Sequence, residues 1–139
     1  MEIIFPRSPR EMMSGWVYLP RFVDKIRLHL AGKLHPDYAN NFKQGFDAKW
    51  LEAAGLSAEQ FIEVVRGTIT DGQVAEWVRQ NVRKTEAEKR AFNDFILNRG
   101  NDADDARVRL AQRKKETGTA HRDDIKTFVD LIEADEKRI

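Results

Sequence analysis

The chain contains no cysteine among its 139 residues. Disulfides, thiol nucleophiles and cysteine-ligated metal sites are therefore excluded, and the absence is compatible with a reducing cytoplasm. Long apolar runs are missing as well. No stretch approaches the ~20 apolar residues of a membrane-spanning helix, and the N-terminus lacks the apolar core of a signal peptide. We therefore expect a cytoplasmic protein without a membrane partner.

An excess of one charge is also missing, because 24 basic residues stand against 23 acidic residues and the net charge is +1. Nucleic-acid-binding domains usually carry a clear basic excess, so nucleic acid is not an expected partner. The three histidines include no pair at the four-residue spacing of a helical metal site. Glycine patterns that cradle phosphates are absent too. We predict no metal, no cofactor and no assigned catalytic residue.

Helical apolar spacing is what the chain does contain, over most of its length. Its 41% hydrophobic and 34% charged residues are typical of a globular domain. We predict a single all-α domain over residues 1–139, a compact arrangement of five to seven helices with short capped connections. Residues 1–15 form an irregular lead-in because Pro6 and Pro9 interrupt any helix there. No alternating apolar pattern is long enough to predict a strand.

The stretch from Trp16 to Leu34 is the element around which we expect the fold to be organised. Pro20 suits the first turn of a helix, and Gly32 suits the left-handed residue that follows a helix end. A set of apolar residues recurs at three- and four-residue spacing, which predicts a buried stripe on one helix face. Its members are Leu19, Phe22, Val23, Ile26 and Leu30.

The other side of this helix concentrates charge. Asp24 lies three residues from both Arg21 and Arg27, so it can pair with either of them, and Lys25 adds a third cation. Two interpretations are open. The cations could hold an anionic ligand, or an internal ion-pair network could tie this helix to the acidic pair Asp135–Glu136.

This helix also carries a family resemblance. Its run Leu-Pro-Arg-(x2)-Asp-Lys-(x)-Arg, over residues 19–27, precedes Leu30-Ala-Gly32 and resembles a family of small bacterial proteins known only as domain of unknown function 5069. Three further stretches fit: Ser8–Glu11, Phe46–Leu56 leading on to Asp71–Val78, and Asp123–Arg138. The resemblance implies a fold and a bacterial origin, and it implies no activity.

Three later positions have the spacing of a capping box, in which Ser or Thr is followed three residues on by Gln or Glu. They are Ser57 with Gln60, Thr70 with Gln73, and Thr85 with Glu88. We predict that a helix begins immediately after each Ser or Thr. Two of the boxes are flanked by residues with the spacing of a hydrophobic staple, which are Leu56 with Phe61 and Ile69 with Val74.

A candidate binding site follows from the first helix and the long connection after it, residues 35–46. Connections of this length are often functional. Trp16 precedes the helix beside a glycine, and we expect it to be the most open of the three tryptophans. The candidate ligand-binding residues are Trp16, Arg21, Asp24, Lys25, Arg27 and Tyr38.

Our working hypothesis is a binding or interaction module for a small anionic ligand or a protein partner. One alternative is a small enzyme that uses Asp24 or His29 as a base. Another is a purely structural protein that forms homo-oligomers. A cleft lined by Arg21, Asp24 and Lys25 would favour binding or catalysis, whereas pairing of these residues within the fold would favour a structural role.

Overall fold

The computed structural model describes residues 3–139, and Met1 and Glu2 lie outside the described part. It is mainly helical. The elements in chain order are β1 (Met12–Met13), β2 (Trp16–Val17), α1 (Leu19–Leu30), α2 (Pro36–Ala39), α3 (Phe46–Ala54), α4 (Ala58–Arg66), α5 (Asp71–Asn81), α6 (Glu86–Asn98), α7 (Asp104–Glu116) and α8 (Phe128–Asp135). The described part thus has eight helices where five to seven were predicted. The short helix α2 lies inside the segment predicted to be a loop.

The chain divides into two compact units, Met1–Phe92 and Asn93–Ile139, with the boundary inside α6. The first unit contains α1 and every candidate site residue. The prediction of a single domain over residues 1–139 stays a prediction. No helix within residues 3–139 is long and apolar enough to cross a membrane.

A small hairpin in the lead-in corrects the expectation of no strand. β1 and β2 pair antiparallel, with Met13 opposite Trp16. Ser14 and Gly15 form the turn and have φ angles of 52° and 85°, as tight two-residue hairpin turns require. The Ser14 hydroxyl also donates a hydrogen bond to the Ala75 carbonyl oxygen at 2.8 Å. Strands of two residues are too short to produce a visible alternating pattern.

The ends of α1 agree with the sequence signals. Pro20 lies in its first turn, and Gly32 has a φ of 69° just beyond its last residue. The Lys33 N–H donates to the Leu28 carbonyl oxygen at 2.8 Å, which completes the glycine-terminated helix end. Four of the five residues in the predicted stripe are buried, and Leu30 is partly buried.

Aromatic rings fill the core of the first unit against α1. The rings of Trp50 and Phe61 lie 4.7 Å apart, and the ring of Phe22 lies within 6.1 Å of both. Trp16 is only 1% exposed, with its ring 5.4 Å from that of Phe92. The expectation of a partly open Trp16 is therefore wrong, because β2 directs this ring into the core.

All three predicted capping boxes are present, and helices begin at Ala58, Asp71 and Glu86. The backbone N–H groups of Gln60, Gln73 and Glu88 donate to the hydroxyl oxygens of Ser57, Thr70 and Thr85. The staple predicted at Ile69 is wrong, since this side chain is 87% exposed. The Gln73 side-chain oxygen accepts from the backbone N–H groups of both Ile69 and Thr70, so polar contacts fix this helix start.

The second unit has its own apolar cluster, in which Leu110, Ile125 and Leu131 pack together with Phe128. The final helix begins at Phe128, after a Thr127 cap. Ile125 therefore packs in this cluster from the segment before that helix.

Candidate functional site

The polar side of α1 contributes to two groups of ionisable side chains. We call the first the buried cluster, and it consists of Tyr18, Arg21, Lys25 and Asp47. We call the second the half-exposed network, and it consists of Arg7, Asp24, Arg27 and Asp71. Helical geometry explains the division, because residues 21 and 25 lie one turn apart on one row and residues 24 and 27 on another.

Asp47 is the acidic centre of the buried cluster and is 0% exposed. The Tyr18 hydroxyl donates to its Oδ1 at 2.5 Å. The Lys25 Nζ lies 2.9 Å from its Oδ2, and the Lys43 backbone N–H donates to the same oxygen at 2.9 Å. Both carboxylate oxygens therefore have partners, as a buried charge requires.

Arg21 connects the buried cluster to the lead-in and to α2. Its side chain is buried, and Nη1 donates to the carbonyl oxygen of Arg7 at 3.1 Å. Its Cζ lies 5.6 Å from the centre of the Tyr38 ring, within the range of a cation–π contact. Tyr38 itself is half-buried.

Tyr18 is unusual in both protonation and backbone conformation. Burial raises the pKa of Tyr18 well above its ordinary value, the negative charge of Asp47 raises this pKa further, and Arg21 opposes the shift. Tyr18 therefore remains a neutral hydrogen-bond donor at physiological pH. Its φ of 74° is in the left-handed region, which is strained for a bulky side chain and occurs preferentially at functional sites.

In the half-exposed network, Arg7 binds two carboxylates at once. Its backbone N–H and Nε donate to Asp24 Oδ2 at 2.9 Å and 3.0 Å, and Nη2 donates to Oδ1 at 3.0 Å. Its Nη1 donates to Asp71 Oδ2 at 2.7 Å, while the Arg27 Nη1 donates to Asp71 Oδ1 at 2.7 Å. The hydrogen bond from Arg7 lowers the pKa of Asp71, burial opposes this, and Arg27 lowers the pKa further.

These contacts correct the predicted pairing of Asp24. The carboxylate is held by Arg7 from the lead-in, and Arg27 donates to Asp71 instead. Helical spacing can indicate neighbours on one helix only, so it could not reveal a partner 17 residues away. Lys25 binds Asp47, and Arg27 binds Asp71.

The other candidate residues occupy different surroundings. Trp16 belongs to the core, as described above. His29 is exposed, with its ring 4.7 Å from that of Phe42. Within residues 3–139, no group of three His, Cys, Asp or Glu side chains is placed to hold a metal ion.

The candidate residues predicted from the sequence do not include several members of these groups: Arg7, Tyr18, Asp47 and Asp71. Asp47 lies in the first turn of α3, where an acidic residue is usually exposed, but here its side chain is buried. Tyr18 could have been found, because residues 18, 21 and 25 follow the three- and four-residue spacing of one helical row.

The fold and the site define a small, mainly helical protein with ionisable side chains buried beside its first helix. The chain belongs to the family described as Domain of unknown function (DUF5069), whose model matches residues 3–138. The resemblance noted in the sequence is thus confirmed over nearly the whole chain. No curated protein matches the chain.

Proposed function

We propose that the protein is a binding module for a small anionic ligand, which it holds at the buried cluster. One observation carries this proposal: four ionisable residues, each at most 4% exposed, meet in the buried cluster, and one of them is a tyrosine with a strained backbone. Burying charged groups opposes folding unless they are well paired. Buried ionisable groups and strained backbone both occur preferentially at functional sites.

The side chains of the buried cluster suit an oxyanion. The guanidinium of Arg21 can bind a carboxylate or a phosphate through two parallel hydrogen bonds. Lys25 adds a compact positive charge, and Tyr18 adds a neutral donor. The rings of Tyr38 and Phe46 lie beside Arg21 and Tyr18 and offer apolar contact. We therefore propose a small carboxylate or phosphate ester as the ligand class.

The geometry gives less support to the enzyme hypothesis. Both carboxylate oxygens of Asp24 accept hydrogen bonds from Arg7, so little capacity is left for taking a proton from a substrate. His29 is exposed and stacks on Phe42. The mutual pairing of Asp24 with Arg7 instead supports a structural role for the half-exposed network.

Native mass spectrometry of protein purified from its own cells tests the proposal by detecting a retained small molecule. Thermal unfolding in phosphate, acetate and chloride of equal ionic strength provides a second readout. Lys25→Met removes a buried charge at similar length, and Lys49→Met is the control because its side chain is 53% exposed on α3. We expect phosphate or acetate to raise the Tm of the wild type and of Lys49→Met, and to have little effect on Lys25→Met.

Tyr18→Phe serves if Lys25→Met does not fold, because it retains the ring and removes only the donor. Equal stabilisation of the wild type and a folded cluster variant by the anion would overturn the proposal. Failure of both anions to stabilise the wild type, together with no retained molecule, would overturn it as well.

A further inference from the structure

We infer that residues 35–45 are a lid that opens to admit a ligand to the buried cluster. We call these residues the lid segment, and it contains α2. The purpose of the lid, which is to admit a ligand, rests on the proposed function. Its test requires no ligand, so the two ideas can fail separately.

The lid segment directly contacts the buried cluster at two points. The Tyr38 ring lies over the guanidinium of Arg21, at 5.6 Å from its Cζ. The Lys43 N–H donates to Asp47 Oδ2, the same oxygen that lies 2.9 Å from Lys25 Nζ. The lid segment therefore lies immediately beside both buried cations, and its movement would uncover them.

One apolar side chain fixes the lid segment to the core. Every residue from 35 to 45 is described, and Phe42 alone among them is buried. Its ring lies 6.4 Å from that of Phe22 and 4.7 Å from that of His29. Withdrawal of this ring would release the main apolar contact of the segment, and segments with few buried contacts open more readily than the core.

The lid segment is also built to move as a unit. Most of its backbone hydrogen bonds lie within the segment, such as those from Tyr38 to His35 at 2.9 Å and from Gln44 to Asn41 at 3.0 Å, and only the last carbonyl oxygens, of Gln44 and Gly45, accept from α3. Gly32 lies just before it and Gly45 is its last residue, with φ angles of 69° and 55°. Apart from the two chain neighbours, no described atom lies within 4 Å of where a Cβ would stand at either position. Such positions can absorb the backbone rotation of a hinge.

The experiment measures acetylation of the Lys25 amine by N-hydroxysuccinimide acetate, followed by peptide mass spectrometry. Lys49 is the exposed reference on α3. Phe42→Ala should raise the Lys25 rate roughly 10- to 100-fold relative to Lys49, the range expected from loss of a buried aromatic side chain. Tyr38→Ala should raise it roughly 2- to 5-fold through loss of the cation–π contact, and it serves if Phe42→Ala does not fold.

Val74→Ala is the matched control, because Val74 is 0% exposed on α5, outside the lid segment but in the same unit, so its truncation should destabilise the fold. Urea unfolding of each variant gives its free energy of unfolding. The acetylation rate expected from globally unfolded molecules is calculated from this value and subtracted from the measured Lys25 rate. An excess Lys25 rate in the lid variants supports the lid. If the corrected Lys25 rate is the same in Phe42→Ala as in Val74→Ala, the lid is overturned and the binding proposal stands. Tyr38→Ala replaces Phe42→Ala in this comparison if Phe42→Ala does not fold. An excess rate in protein that binds neither phosphate nor acetate supports the lid and removes the proposed ligand.

Discussion

The buried cluster and the half-exposed network both draw on the polar side of α1, yet they differ in exposure to water. The side chains of Lys25 and Asp47 are 5% and 0% exposed, whereas those of Asp24 and Asp71 are 23% and 41% exposed. A buried pair carries a large desolvation cost and leaves an uncompensated charge when one partner is removed. A partly exposed pair is screened by solvent and contributes less. Similar ion pairs on adjacent rows of one helix should therefore respond very differently to mutation.

The two groups also differ in the segments that they join. The half-exposed network links the lead-in, α1 and α5 through Arg7, Asp24 and Asp71, which suits a structural role. The buried cluster joins α1 to α3 and meets the lid segment. That difference is why we propose ligand binding for the cluster alone.

Asp47→Ala should have the largest effect, because it removes the buried carboxylate that binds both Lys25 and the Tyr18 hydroxyl. We expect a loss of about 3–5 kcal/mol in the free energy of unfolding, the range for breaking a buried pair. Urea unfolding followed by tryptophan fluorescence measures it. Glu52→Ala, at a side chain 78% exposed on the same helix, should change stability by less than about 0.5 kcal/mol. A loss below about 1 kcal/mol for Asp47→Ala would mean that the cluster tolerates the removal of its only carboxylate.

Asp24→Ala should cost less, about 2 kcal/mol, because Asp24 accepts three hydrogen bonds from Arg7 but remains partly exposed. Arg7→Ala should cost a similar amount, and the double variant should cost less than the sum of the two.

Added salt should distinguish the half-exposed network from the buried cluster further. In 1 M NaCl the Asp24→Ala loss should shrink, whereas the Asp47→Ala loss should not. Equal salt sensitivity would contradict the distinction between them.

Local features of this fold could be predicted from the sequence. The capping boxes at Ser57, Thr70 and Thr85 involve residues three positions apart, so spacing alone identifies them. The apolar stripe and the glycine-terminated end of α1 are local in the same sense.

Contacts between distant segments could not be predicted in this way. Arg7 meets Asp24 and Asp71 across 17 and 64 residues, and nothing in helical periodicity specifies such partners. The burial of Trp16 depended on a hairpin of two-residue strands, which leaves no periodic signal. The ion-pair partners of Asp24 and Arg27 and the burial of Trp16 therefore differ from the prediction, and the candidate site itself stays a prediction.

Thr70→Ala should have a smaller effect that still distinguishes the two groups. Loss of its cap should cost about 1 kcal/mol, as should loss of the Ser57 cap. Thr70 directly precedes Asp71, so its loss should also loosen the half-exposed network. In double-mutant cycles with Arg27→Ala, we expect a coupling of about 0.5 kcal/mol or more for Thr70→Ala and almost none for Ser57→Ala. Equal couplings would show that the cap and the network are independent.

The smallest expected effect is the pH dependence contributed by Asp71. Because its hydrogen bond from Arg7 lowers the pKa of Asp71 below its ordinary value, the unfolded chain binds a proton at this carboxylate more readily than the folded chain does. The stabilisation from Asp71 is therefore fully present above the unfolded pKa of about 3.9 and is lost as the pH falls through the lower folded pKa.

Asp71→Asn should remove this pH dependence while retaining the shape of the side chain. The stability difference between wild type and Asp71→Asn should thus be larger at pH 6 than at pH 3. Since the side chain is 41% exposed, we expect the change to be below about 1 kcal/mol after solvent screening. Urea unfolding at the two pH values measures it, and other carboxylates contribute nearly equally to both proteins, so they largely cancel in the difference. An unchanged difference would mean that Asp71 is no better stabilised as a carboxylate in the folded protein than in water, and that the network depends on the pair of Arg7 and Asp24 alone.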